Sequence, residues 1–359
     1  MILESVTLSD FRIFKTKKIQ IDPSVTVIVG PNAVGKTTIL EAISYFSSGK
    51  SFRALKDRDV IRDAGELARI IGNVLQGKEK YVLEVVITTG SVLGRQAPYK
   101  RLLVDKLGKQ LATFVGRLPV VLFWPEDLSI IIGSPSLRRK TLDRVLLQAD
   151  ASYHRAVLSY ERALRSRNRL LQMEKNGVIV DQIQYGYWNT VLIENGQYIN
   201  LKRRSFIEFT NTTPVPREAL LRMHLQYDDS QISVSRLAKY AFEEKAAGAT
   251  LVGPHRDDFS ILMQKDGMSQ ADLARYGSRG EQRLGVLWLK LAELSFLENR
   301  FGFRPLLLLD DIFSELDEKN RQTIADVFEQ QQTIITTTDS HYFRDIKLDK
   351  RRSPTIITL

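Results

Sequence analysis

The chain contains no cysteine, which excludes a disulfide framework and a thiolate metal site. Its four histidines, His154, His224, His255 and His341, are scattered without metal-ligand spacing, which argues against a structural zinc centre. Also missing is any uninterrupted apolar stretch of the roughly 20 residues that a bilayer-spanning helix requires. Glu4 and Asp10 interrupt the apolar residues of MILESVTLSDFRIF, and the basic start of a secretory signal is absent, so the expected location is cytoplasmic. Acidic residues are in deficit: 42 Asp and Glu stand against 52 Lys and Arg, a formal net charge of +10. That surplus favours a polyanionic partner such as nucleic acid, nucleotide or a membrane surface, without choosing among them. What remains, 359 residues with 43% hydrophobic and 26% charged, is the balance of a globular protein with a sizeable core, in two domains or in one domain with a large insertion.

Strand-like runs dominate the first third of the chain: ILESVTLSDF, KKIQI, VTVIVG, ARIIGNVLQ, YVLEVVITT, KRLLVD and LPVVLFW. From about Leu137 to Ala247 long, Arg-rich helical patterns take over. The remainder alternates: a helix from near Ser278, the strand PLLLLD, a helix from about Glu318 to Gln331, and the strand TIITTT. This order predicts an α/β unit in two parts, residues 1–136 and 248–359, interrupted by a helical insertion over 137–247.

The strand VTVIVG runs into Gly30-Pro31-Asn32-Ala33-Val34-Gly35-Lys36-Thr37-Thr38 and then the helical pattern ILEAISYF, a phosphate loop in strand–loop–helix context. The spacing serves the chemistry. Glycines let successive backbone N–H groups curl around a phosphate, the helix N-terminus adds its dipole, Lys36 neutralises β/γ oxygens and the Thr37 hydroxyl ligates Mg²⁺. In the second half of the chain, Leu306-Leu307-Leu308-Leu309-Asp310-Asp311 has the form of a Walker B element: Asp310 is the expected metal partner and Asp311 is placed to polarise an attacking water. A capping aspartate at the end of a buried strand is the plainer alternative, which the accompanying phosphate loop outweighs.

Gly277-Ser278-Arg279-Gly280-Glu281-Gln282-Arg283 precedes an apolar-periodic helix, and Ser278 with Glu281 reads as a capping box. The capping box leaves Gly280, Gln282 and the two arginines unexplained. Farther upstream, Leu137 to Leu170 holds nine Lys and Arg against three acids. At 100° per residue Arg155, Arg162, Arg165 and Arg169 fall within about 80° of one another, opposite Tyr153, Val157, Tyr160, Leu164 and Leu171. Two accounts of this arginine stripe stand side by side, a solvated helix face and a phosphate-backbone contact surface for DNA.

The segment around Ser278 resembles the signature motif of ABC and SMC ATPases. FWPEDLSIIIGSPSLRRKTLD (Phe123 to Asp143) and LVGPHRDDF (Leu251 to Phe259), together with SDFRIF and GKSFRALKDRDVIR, resemble the RecF family of bacterial recombination mediators, and the likeness spans nearly the whole chain. An insertion of about 110 residues fits the compact arm of that family, since two antiparallel helices would reach only about 80 Å. The resemblance implies an ABC-type ATPase head with an inserted helical arm, ATP as ligand, Mg²⁺ as cofactor and weak DNA-dependent ATPase activity. It implies an ATP-dependent homodimer on double-stranded or gapped DNA in recombinational repair and replication-fork maintenance, with RecR, and RecO through it, as partners. By the same resemblance Arg12 lies beside the nucleotide, a solvated arginine on an edge strand being the plainer alternative, and Ser278, Gly280 and Gln282 complete the site of a second subunit. Glu126 takes the place of the residue that senses metal and water, although a first-turn acid in PEDL accounts for it equally well. Three departures from the pattern stand out: Ala33 where the family usually has Gly, Asp311 where many ABC proteins have Glu, and no switch histidine after the last strand, leaving Thr337, Thr338 or Asp339. The alternatives are the ATPase subunit of a transporter, against which the basic charge and the missing histidine speak, and a nucleotide-switched scaffold without significant turnover.

Overall fold

The computed structural model describes residues 1–213, 222–264, 270–314, 322, 330–339 and 354–359. The helix expected from about Glu318 to Gln331 lies almost wholly outside these residues, as does His341. The chain forms two compact units, Met1–Asp127 with Leu289–Leu359, and Leu128–Trp288.

The first unit, the head, is built on two sheets. One is antiparallel, in the order Phe14–Gln20, Ile2–Phe11, Leu67–Gln76, Glu79–Thr88, Lys100–Val104, Leu107–Lys109. The other is wholly parallel, in the order Val120–Phe123, Leu306–Asp310, Thr333–Thr337, Val25–Val29, Thr355–Thr358. The sequence patterns follow from this. LLLLD and TIITT are buried at every position, as parallel strands covered on both faces must be, whereas LARIIGNVLQ alternates towards one core face. The helix Lys36–Ser48 is buried nearly all round because residues of both sheets pack on it: Ile39, Leu40, Ile43 and Phe46 share one core with Leu8, Ile70 and Val85 of the antiparallel sheet and Ile28, Leu308 and Ile334 of the parallel one. A side chain also joins the two sheets. Gln332 accepts from Leu3 N (2.8 Å) and donates to Leu3 O (2.9 Å) beside the register shift between Leu3 and Ser5.

The second unit carries the helices Pro135–Ala149, Ala151–Lys175 and Gln182–Thr212, the middle one capped by Asp150 and the third by Asp181. It also holds a small antiparallel sheet, Met223–Asp228, Asp258–Met263 and Ala271–Asp272, none of whose strands the sequence patterns revealed. The two motifs that carry the family resemblance meet here. Arg138 grips Asp258 with two hydrogen bonds (2.6 and 2.8 Å), and Arg139 donates to the Asp257 carbonyl (2.8 Å). Asp257, fully buried, accepts from Arg203 (2.8 Å), Tyr227 (2.5 Å), Asn200 (3.0 Å) and the Ser230 amide (2.8 Å). Arg203 reaches on to Asp143 (2.8 Å) and the Pro254 carbonyl (2.7 Å). A buried carboxylate is tolerated only when charge and donors compensate it, so GPHRDD and the arginines of GSPSLRR act together as the polar lock of this unit. Asp257 pairs with the distant Arg203 rather than with its neighbour Arg256, which reaches the Thr250 carbonyl.

Candidate nucleotide site and arm face

Within the head, the strand Val25–Val29 ends at the loop, and the helix starts at Lys36 behind Gly35, whose φ of 104° suits only glycine. A Cβ at Gly35 would lie 2.6 Å from the Phe14 ring and 2.8 Å from Ile13, so the turn after Phe11 is packed onto the loop. Ala33 occupies the left-handed region with φ 66°, a conformation that costs a residue with a Cβ roughly 1 kcal/mol or more. The first helical turn has no acidic residue and no side-chain cap, which leaves its amides for an anion. Lys36, buried, donates to the carbonyls of Gly30 (2.7 Å) and Pro31 (2.8 Å). Pro31, Asn32 and Ala33 are exposed, Val34 and Thr37 are half-buried, and Thr38 is buried in the helix.

Parallel pairing brings the Walker B strand to this helix. The Thr37 hydroxyl donates to Asp310 Oδ1 at 2.9 Å, across 273 residues of sequence. Thr336, on the neighbouring strand, donates to the same oxygen at 2.6 Å and accepts the Asp311 amide through its hydroxyl (3.2 Å), while its carbonyl accepts that amide too (3.1 Å). Asp311 sits at φ 51°, which aspartate tolerates better than most residues. Sequence reasoning missed Thr336. Thr337 accepts the Asp339 amide (3.2 Å), and its carbonyl accepts the Gly30 amide (3.3 Å), tying the segment of the missing histidine to the loop.

Arg12 lies in the turn before Phe14 and is held by Glu41 of the phosphate-loop helix, with Nη2–Oε1 at 2.7 Å and Nε–Oε2 at 3.1 Å. Its hydrogen bond to Glu41 raises the guanidinium pKa above its ordinary value. Glu126 is exposed in the turn Pro125–Leu128, which follows the strand paired with Leu306–Leu309. Its neighbour Asp127 is buried against Lys290 (3.3 Å), which also meets Glu293 (3.3 Å). Lys290 was not singled out from sequence, although a Lys and a Glu three apart inside an apolar-periodic helix were a visible signal of a buried pair.

The remaining expected residues belong to the second unit. Ser278 and Glu281 form the capping box, Ser278 N donating to Glu281 (2.7 Å) and Glu281 N to Ser278 Oγ (3.3 Å). Ser278 and Gly280 are exposed, and a Cβ on Gly280 would meet nothing within 4 Å. Gln282 is buried and donates to the Leu273 carbonyl (3.2 Å). Along Ala151–Lys175, Arg155, Arg162, Arg165 and Arg169 are all exposed, while Tyr153, Tyr160 and Leu171 are buried.

A phosphate loop facing a Walker B strand, a capping-box signature helix and a large inserted unit define an ATPase head of the ABC/SMC class. Comparison with known proteins agrees and narrows it. Residues 1–92 match the AAA ATPase domain family. The DNA replication and repair protein RecF of Herpetosiphon aurantiacus is 34% identical over 368 residues, covering 94% of each chain. Two solved structures of the recombination mediator protein RecF in the RecFOR pathway are similar throughout: RecF-ATPrS (28% identity, TM-score 0.86, 99% of this chain and 95% of that one) and RecF-ATP (30%, 0.84, 97% and 94%). An SMC head bound to the C-terminal winged-helix domain of ScpA shares the fold at 16% identity and TM-score 0.52, over 96% of this chain and 92% of its own. The chain belongs to the RecF family of DNA replication and repair proteins.

Proposed function

We propose that this chain is an ATP-dependent DNA-binding protein that closes as a homodimer on duplex or gapped DNA and hydrolyses ATP slowly to let go. The observation that carries the reading is the 2.9 Å contact between Thr37 and the buried Asp310, the two groups that a phosphate-bound divalent cation needs side by side. The donor set fits Mg²⁺, a hard cation that takes oxygen ligands, since the Asp310 carboxylate and the Thr37 hydroxyl are both oxygen groups and lie together. Mg²⁺ is typically held by one or two protein oxygens plus phosphates. Bound there, the ion would neutralise charge on the β and γ phosphates.

Lys36 exchanges its two carbonyl acceptors for β/γ oxygens, the amides of Asn32 to Thr38 line the phosphates, and Arg12 adds a second cation. Asp311, fixed through its amide by Thr336, positions the water, with Glu126 presented by the turn that follows the adjacent strand. A carboxylate one methylene shorter than glutamate suits slow turnover. Ser278 and the open surface at Gly280 meet the partner's nucleotide, with Gln282 holding the turn that presents them. Arg155, Arg162, Arg165 and Arg169 contact DNA phosphates without reading bases. Family membership supports RecR, and RecO through it, as partners, and a cytoplasmic location, where such DNA lies. No helix among the described residues is long and apolar enough to cross a membrane.

The experiment is sedimentation and duplex-DNA binding with no nucleotide, ADP, ATP and a non-hydrolysable analogue, each with and without Mg²⁺. Dimers and tight DNA binding are expected only with Mg²⁺ and a triphosphate. Equal dimerisation in all conditions would sink the proposal.

A further inference from the structure

We infer that Glu41 is a positioning residue for nucleotide binding: from inside the phosphate-loop helix its buried carboxylate aims Arg12 at the site and ties down the segment that follows the helix. The inference rests on the reading of Arg12 as a nucleotide contact.

Glu41 is 0% exposed on a helix whose neighbouring positions are filled by Ile39, Leu40, Ala42 and Ile43. A carboxylate there loses its hydration, and an apolar side chain would pack the core at lower cost. What the carboxylate supplies is geometry. It takes Arg12 edge-on through Nε and Nη2, and it accepts from Arg53 Nη2 (3.1 Å) and the Ser51 hydroxyl. Ser51 Oγ in turn accepts the amides of Arg53 (2.9 Å) and Ala54 (2.7 Å), so one buried group organises the chain just past the helix.

Arg12 is pinned from its other sides as well. Its amide donates to Val60 O (2.7 Å), its Nη1 to Asp59 O (2.9 Å), and its φ of 54° places it in a tight left-handed turn. The next two residues of that turn, Ile13 and Phe14, press on Gly35 of the phosphate loop. A guanidinium has five N–H groups, and Arg12 spends three of them on these bonds. Two N–H groups, one on each terminal nitrogen, are left on a side chain that is 25% exposed. They are the donors an anion would take. Without Glu41, Arg12 would keep its charge and lose two of the three bonds that direct its guanidinium.

The test is equilibrium ATP titration, with thermal melting of each protein, for Glu41→Gln, Arg12→Gln, the double variant and Arg12→Lys. Glu41→Gln and Arg12→Gln should each weaken ATP about tenfold or more, on the scale of a misdirected contact group. The double variant should be no weaker than Arg12→Gln, because both changes remove one interaction. Arg12→Lys keeps the charge, changes a partly exposed side chain and should still lose affinity, because an ammonium cannot be gripped edge-on. An Arg12→Gln protein with wild-type affinity would overturn the reading of Arg12 itself. If Arg12→Gln weakens ATP while a folded Glu41→Gln protein does not, that reading stands and the role of Glu41 falls. Losses that multiply in the double variant would overturn the inference by showing that Glu41 acts on the loop independently of Arg12. Should Glu41→Gln fail to fold, Arg12→Lys decides: full affinity with lysine means that charge alone matters and overturns the positioning role.

Discussion

The arginine stripe yields the most quantitative expectation, because the four side chains differ in what already engages them. Arg155 donates to Ser152 Oγ (2.8 Å), and Arg165 faces Glu161 at 3.7 Å with both groups well exposed. Arg162 and Arg169 make no hydrogen bond or ion pair among the described residues. Replacing all four with Gln should flatten the log–log salt dependence of duplex binding by about 3.6, at about 0.9 per phosphate contact. Single changes at Arg162 and Arg169 should each remove about one contact's worth. The Arg165–Glu161 pair is long and exposed, worth about 0.5 kcal/mol or less, so phosphate displaces it easily. Glu161→Gln removes a negative charge from the stripe and should tighten DNA binding about twofold, the equivalent of that same fraction of a kcal/mol. The assay is anisotropy of a labelled duplex with ATP over about 50 to 300 mM salt, run beside thermal melting. Since every substituted side chain is exposed, melting should not move. Arg167 is the internal contrast: it lies in the same run but is buried against Asn189, Thr250 and Glu244, so its removal should unfold the arm rather than change the slope. An unchanged salt slope in the fourfold variant would refute the DNA-face argument and leave the stripe as solvated surface.

Lys36→Met should abolish ATP-driven dimerisation, since no other side chain of the loop is cationic; unaltered sedimentation with ATP would count against the phosphate-loop assignment. Asp311→Asn should retain ATP and Mg²⁺ binding yet slow hydrolysis about a hundredfold or more, prolonging residence on DNA, and normal turnover would move the water-positioning role to another residue. Ser278→Arg and Lys36→Met, each inactive alone, should regain ATPase when mixed, because one interface of the heterodimer joins an intact loop to an intact signature turn. With crosslinking proving that heterodimers form, and wild-type mixing controls excluding a strict two-site requirement, no recovery would argue for self-contained sites. Burial lowers the pKa of His255 to about 4 from the ordinary 6.5, so the unfolded chain binds a proton that the folded chain refuses. Stability should therefore be full above pH 6.5 and fall between pH 6.5 and 4, by at most about 3 kcal/mol, a fall that His255→Gln should reduce in urea titrations.

What was legible in the sequence was local. A phosphate loop is a strand, a turn and a helix in succession, and Gly30 to Thr38 carries its whole signal in nine residues. Four of the five parallel strands were visible as apolar runs, the exposed edge strand Thr355–Thr358 being the exception, and the arginine stripe as a period of 3.6 residues that separated Arg162 and Arg169 from the buried Arg167. The roles hidden in the sequence all depend on pairing between distant segments. Thr336 reads as one more β-branched residue in TIITTT until the sheet sets it beside Asp310. Asp257 reads as part of a polar turn until Arg203, Tyr227 and Asn200 converge on it from 54, 30 and 57 residues away.

Glu41 shows why such roles resist local reading. By hydrophobic periodicity it is an ordinary charged residue in a helix, and the prior for such a glutamate is a solvated face. Burial reverses the inference, because a buried charge must be answered by partners, and the partners then become the informative residues. Lys290 makes the same point with the opposite sign, enclosed by Asp127 and Glu293. On the proposed reading the motifs mark where phosphate chemistry takes place, while the buried ion pairs mark how the loop, its arginine and the signature helix are fixed. Changes at the motifs should therefore abolish nucleotide binding or turnover outright. Changes at the buried pairs should leave the chemistry in place and degrade its geometry, a difference that the split between affinity and turnover can measure.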